Sequence, residues 1–175
     1  MKIPLLTLVT ALSLAGAAFA DHEPGHKVLV LKNKEGAAIL GYDAVAYFTD
    51  NKPAKGNPKF QSEYEGAKYY FASAEHKALF DANPAKYAPA YGGFCGYAAS
   101  VGKVRPANPL VWSIVDGQLI VQHTKGADEL WQKDVPGNKA KADKYWPSLV
   151  EAKAGKKYPI DSLLGKSVID LAKIN

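Results

Sequence analysis

The chain has 175 residues, a formal net charge of +5 and one cysteine. That length builds one domain with a proper core, and a lone cysteine excludes an internal disulfide. The lysines are scattered and Arg105 is the only arginine, so the basic stripe of a nucleic-acid binder is missing and the charge reads as a solvated basic surface.

The first twenty residues read as a secretory leader. Lys2 gives a positive start, an apolar run extends from Ile3 to Ala18, and Ala18-Phe19-Ala20 is a small-x-small cleavage site. The run is short for an anchor helix, and nothing after Ala20 is apolar enough to cross a bilayer. The expected location is the periplasm or beyond. Residues 21–155 form the expected domain, and 156–175 an appendage with a short amphipathic helix near 168–173.

In chain order, 26–31 reads as a first strand and 33–36 as a turn. Residues 37–48 (AAILGYDAVAYF) read as an extended segment bent at Gly41, in which Asp43 caps or turns the chain. Strands are expected at 60–64 and 68–72 about the turn Glu65-Gly66. Ser73 then caps a helix over 74–82, which Asn83-Pro84 ends. His76, Leu79 and Phe80 fall on one helical face, which turns His76 inward. Gly92-Gly93 before Phe94-Cys95 permits unusual backbone angles.

Asp116-Gly117 between apolar runs marks a second hairpin, 111–115 with 118–123. Its register pairs Ile114 with Leu119, Trp112 with Val121 and Leu110 with His123, all on one apolar face. The region 127–150 reads as helical, interrupted at Val135-Pro136-Gly137. The fold class is α+β: a small antiparallel sheet holding both hairpins, packed with several helices. No internal repeat is read.

Five segments occur together and in order: GYDAVAYF (41–48), YYFASAEHKALFDANPAKYAP (69–89), YGGFCGYA (91–98), VWSIVDGQLIV (111–121) and KDVPGNKAKADKYWP (133–147). Together they resemble exported bacterial YHS-domain proteins over roughly 41–147. The YHS module of copper-transporting ATPases and some hydroxylases resembles a small metal-binding hairpin and helix with two cysteines one helical turn apart. Matched here, those positions fall at Ala72 and His76, so one ligand is lost and the other becomes histidine. Cys95 belongs to the Gly-Gly-aromatic-Cys motif of the exported branch.

The residues leave several roles open for Cys95: buried inert thiol, metal ligand, redox-active thiol or intermolecular bridge. His76, inward on its helix, His123, on the apolar face of the hairpin, and Cys95, after two glycines, are the candidate metal ligands. A thiolate with one or two imidazoles suits copper or zinc. The expected function is periplasmic, non-enzymatic binding of a transition metal. The alternative is a metal-free structural or protein-interaction module. No nucleophile elbow, P-loop or dinucleotide fingerprint supports an enzyme.

Overall fold

A computed structural model of the chain describes residues 27–156. The leader and its cleavage site, His22, His26 and the appendage beyond Lys156 lie outside the described residues. Two antiparallel strand pairs organise what is described. β1 (Asn57–Tyr64) pairs with β2 (Ala67–Phe71), and β3 (Asn108–Val115) with β4 (Gln118–Gln122). Six helices surround them: α1 (Ala46–Thr49), α2 (Ala74–Ala82), α3 (Pro84–Tyr87), α4 (Gly96–Ser100), α5 (Lys125–Gln132) and α6 (Val135–Lys153). The architecture is α+β, with two separate two-stranded sheets in place of one.

Both hairpins turn where the sequence places the turn. Glu65-Gly66 and Asp116-Gly117 have positive φ at both residues (49° and 67°; 50° and 74°), the backbone that matches strand twist. Ser73 caps α2 by accepting from the His76 N–H. Ile114 pairs with Leu119 and Trp112 with Val121, as read. The third pair fails. An irregularity between Asn108 and Trp112 shifts the register, and Gln122 faces Asn108, so Leu110 and His123 are not partners.

Other expectations are corrected. Residues 27–31 form no ladder; the segment is tied down by the Leu31 N–H to Gly92 O at 2.8 Å. Leu79 is 41% exposed, so its shared face with buried Phe80 is only partly inward. Val135-Pro136-Gly137 does not interrupt a helix. It is the first turn of α6, where proline's missing N–H has no helical partner to lose, and Asp134 caps it through Gly137 N–H.

An internal repeat is present. β1–β2–α2 and β3–β4–α5 correspond element by element at an offset of 51 residues, from Asn57 to Asn108 and from Ser73 to Thr124. Asn-Pro opens each pair, and each asparagine side chain accepts from the backbone two residues on. The register irregularity recurs at the same place. The caps Ser73 and Thr124 share φ −146° and ψ 167°. Asn83 (φ −155°, ψ 77°) and Asp134 (φ −157°, ψ 73°) then cap the next helix of each unit. Upstream the spacing is one residue longer: Ile39-Leu40-Gly41 (φ 49°, 54°, 81°) corresponds to Tyr91-Gly92-Gly93 (φ 53°, 56°, 78°).

The two units differ in burial. In β2 only alternate residues, Ala67, Tyr69 and Phe71, are buried. In β4, Leu119 and Val121 pack into the main core with Val45, Tyr47 and Tyr69, while Ile120 packs with Trp131 and Ala142. β4 is therefore buried on both faces, whereas β3 leaves Leu110 and Ile114 exposed. Trp112 meets Tyr47 edge-on at 5.2 Å, and the Tyr47 hydroxyl donates to Pro109 O at 3.0 Å.

Candidate functional site

Asp43 is fully buried just before α1. Its Oδ1 accepts from Val45 N–H (2.8 Å) and Ala46 N–H (3.3 Å), which caps the helix start. Its Oδ2 accepts from Ala72 N–H (2.8 Å), at the end of β2, and sits 2.7 Å from His76 Nδ1. One carboxylate thus fastens α1, β2 and α2 together. A carboxylate only accepts, so the Nδ1 of His76 carries the hydrogen, and in the neutral ring Nε2 presents a lone pair.

That Nε2 faces the surface end of α1. Thr49 Oγ1 lies 3.2 Å away and Asp50 Oδ1 3.6 Å, with Thr49 Oγ1 itself 2.8 Å from Asp50 Oδ1. The His76 side chain is 14% exposed and that of Asp50 35%. Buried carboxylate, imidazole and outer carboxylate therefore run in a line from core to surface. Asp43 is saturated by four donors and acts only as the orienting group. The groups open to a ligand are His76 Nε2, the Asp50 carboxylate and the Thr49 hydroxyl.

The other two candidate ligands belong to the second unit. Cys95 is buried; its thiol donates to Gln122 Oε1 at 3.2 Å and accepts from Ala98 N–H at 3.4 Å. Burial pushes the thiol pKa up, although the backbone N–H groups of Ala98, His123 and Tyr97 pull it the other way. His123 is partly buried, and its Nδ1 donates to Pro106 O at 2.7 Å. Cys95 and His123 are thus neighbours through the main chain, while His76 has Asp43, Thr49 and Asp50 as its partners. The three residues hold three separate partner sets. Among the described residues, no group of three or more His, Cys, Asp or Glu is placed to hold a metal ion.

The repeat explains where each of them sits. Asp43 and Cys95 each hydrogen-bond Ala54 O and Arg105 O respectively through the backbone N–H, both at 2.9 Å. Each then accepts, through its side chain, from the start of the following helix and from the end of the second strand, Ala72 in one unit and His123 in the other. The thiol occupies the cradle that holds the carboxylate in the first unit. Ala127 stands at the place of His76, so the second unit lacks the imidazole that the cradle would orient. Ala72 and His76 in one unit thus correspond to His123 and Ala127 in the other, and each unit has one histidine.

Cys95 as a buried cap has a direct consequence. Thiol reagents at pH 8 are expected to label the native protein at least about a hundredfold more slowly than the denatured chain, because both access and thiolate are scarce. Native labelling at the denatured rate, followed spectrophotometrically, would contradict this.

Residues 45–91 match the YHS domain. The match contains Thr49, Asp50 and His76, begins two residues after Asp43, and ends at Tyr91, where the second unit opens. No curated protein and no solved structure matches the chain. Among the described residues, no helix is long and apolar enough to cross a membrane. The sequence reading had placed Asp43 as a cap or turn residue. It missed Thr49 and Asp50, whose only signal was their position at the end of the segment that Asp43 opens.

Proposed function

We propose that this YHS-domain protein is exported and binds one divalent transition metal ion, copper(II) or zinc, at His76 Nε2 and the Asp50 carboxylate. One observation carries the reading: a fully buried carboxylate fixes the His76 tautomer and aims Nε2 beside Thr49 and a second carboxylate. A carboxylate that binds the remote nitrogen of a ligating histidine, as buried Asp43 does here, raises its basicity and fixes its orientation. The donor set is nitrogen and oxygen without thiolate, which suits copper(II) or zinc over copper(I). Two strong donors leave coordination positions open, as in a site that takes up and passes on its ion, unlike the closed four-ligand shell of a structural zinc. The leader-like start of the sequence supports export, and a mature N-terminus at Asp21 by mass spectrometry tests it.

Calorimetric titration of untagged protein tests the site. His76→Ala and Asp50→Asn are each expected to weaken metal binding at least about tenfold; Asp50→Asn should leave stability nearly unchanged, whereas His76→Ala also takes a partner from buried Asp43 and should cost about 1–3 kcal/mol. Less than about a tenth of an equivalent of any transition metal bound by wild type after reloading would overturn the reading. The second reading, a metal-free structural module, is favoured by the internal engagement of Cys95 with Gln122 and of His123 with Pro106. It predicts that neither substitution alters any binding isotherm.

A further inference from the structure

We infer that the outer edge of β3 is a homodimer interface, in which two copies of the chain pair their β3 strands antiparallel about a two-fold axis at Ser113.

The edge is open. β4 has its outer side engaged by the Cys95–Val121 bridge, whereas among the described residues β3 pairs only with β4. Across a two-residue turn, Val115 and Gln118 exchange both hydrogen bonds, and Ser113 and Ile120 do the same two residues back. The N–H and C=O groups of Trp112 and Ile114 therefore point away from β4, and no strand among the described residues receives them. Leu110 is already served, its N–H donating to Asn108 Oδ1 at 2.9 Å.

The sister strand is an internal comparison. β1 is open in the same way, and carries Lys59 and Glu63 at the positions of Leu110 and Ile114. Charged residues are how natural edges discourage pairing. In β3 the run Leu110–Val115 (LVWSIV) has no charge and no proline, although Leu110 and Ile114 are 40% and 38% exposed. Burial against the first unit accounts for Trp112 but not for this exposed flank.

The strand's own pattern selects a second copy as occupant. Centred on Ser113, antiparallel pairing sets Trp112 opposite Ile114 of the second copy and Ile114 opposite its Trp112. These are the residues whose backbone groups are free, so all outward groups are satisfied in two hydrogen-bonded pairs. Aromatic and β-branched residues make favourable cross-strand pairs. Ser113 lies on the two-fold axis, opposite the same residue of the second copy. A net charge of +5 makes two copies repel over most of their surface, and this strand is an uncharged line along which they can approach. The contact is isologous, so it closes at two copies.

Sedimentation equilibrium of the full, untagged chain from about 1 to about 200 µM tests this. A monomer–dimer equilibrium with no larger species is expected. Ile114→Pro removes one outward N–H and leaves the β4 ladder intact, and Ile114→Glu restores the sister strand's charge; each should weaken the dimer at least tenfold. Ser113→Cys should form a covalent dimer on mild diamide oxidation, and Val115→Cys should not. A monomer throughout, growth into larger oligomers, or equal cross-linking of both cysteine variants would overturn the inference. The cross-linking comparison stands even if Ile114→Pro fails to fold, and none of these results depends on metal.

Discussion

Asp43→Ala is expected to destabilise the protein by about 4 kcal/mol or more. The side chain is fully buried and accepts from three backbone N–H groups and from His76 Nδ1–H. Alanine removes the acceptor and leaves the donors, and each buried donor without a partner costs about 1–3 kcal/mol. Some will recover water, so the costs do not add in full. At about 2–4 °C per kcal/mol for a domain of this size, Tm falls by about 10 °C. Urea unfolding followed by tryptophan fluorescence measures it, and a loss below about 1 kcal/mol would show that the carboxylate is not the fastener described. Asp43→Asn separates the structural role from the functional one. An amide keeps one acceptor and can donate toward His76, which moves the ring hydrogen to Nε2 and removes the lone pair at the surface. Metal affinity should then fall about 10–100-fold even where the protein remains folded.

Gly92→Ala is expected to cost about 3–5 kcal/mol, and Gly117→Ala only about 1 kcal/mol. Both glycines have positive φ, 56° and 74°. A Cβ on Gly92 would lie 1.8 Å from Leu29 O and 2.9 Å from Leu29 C, all backbone, while one on Gly117 meets nothing within 4 Å. Gly117→Ala therefore reports the left-handed conformation alone. Gly92→Ala adds a collision that must push the 29–31 segment away, breaking Leu31 N–H to Gly92 O and uncovering buried Leu29 and Leu31. Equal losses in the two variants would mean that this segment is not held against the second unit's opening turn.

Features set by neighbouring residues were legible in the sequence. Glu65-Gly66 and Asp116-Gly117 turn because their backbones can, and Ser73 caps because its hydroxyl reaches three residues on. The inward side of His76 followed from helical spacing. What failed depended on distant partners. The strand irregularity that separates Leu110 from His123 cannot be seen from alternation. Val135-Pro136-Gly137 contains residues that end helices and also residues that begin them, and Asp134 decides which. The repeat escaped because its matched positions share chemistry more than identity: Ser73 with Thr124, Glu65 with Asp116, Asn83 with Asp134, Phe80 with Trp131. The site was half legible. Asp43 as a cap and His76 as inward were each readable, but their meeting across 33 residues is a property of the fold. Placing Cys95 beside His76 joined residues that the repeat assigns to different units.

The most direct measurement is electron spin-echo envelope modulation on the copper(II)-loaded, untagged chain carrying His22→Ala and His26→Ala, which leaves His76 and His123 as its histidines. A copper ion on His76 Nε2 would leave Nδ1, whose N–H donates to Asp43, as the remote nitrogen, so the spectrum should show the modulation of one coordinated imidazole. That modulation should vanish with His76→Ala and persist with His123→Ala. Imidazole modulation that survives His76→Ala, or its absence from the parent at stoichiometric copper, would contradict a metal site at His76 and Asp50.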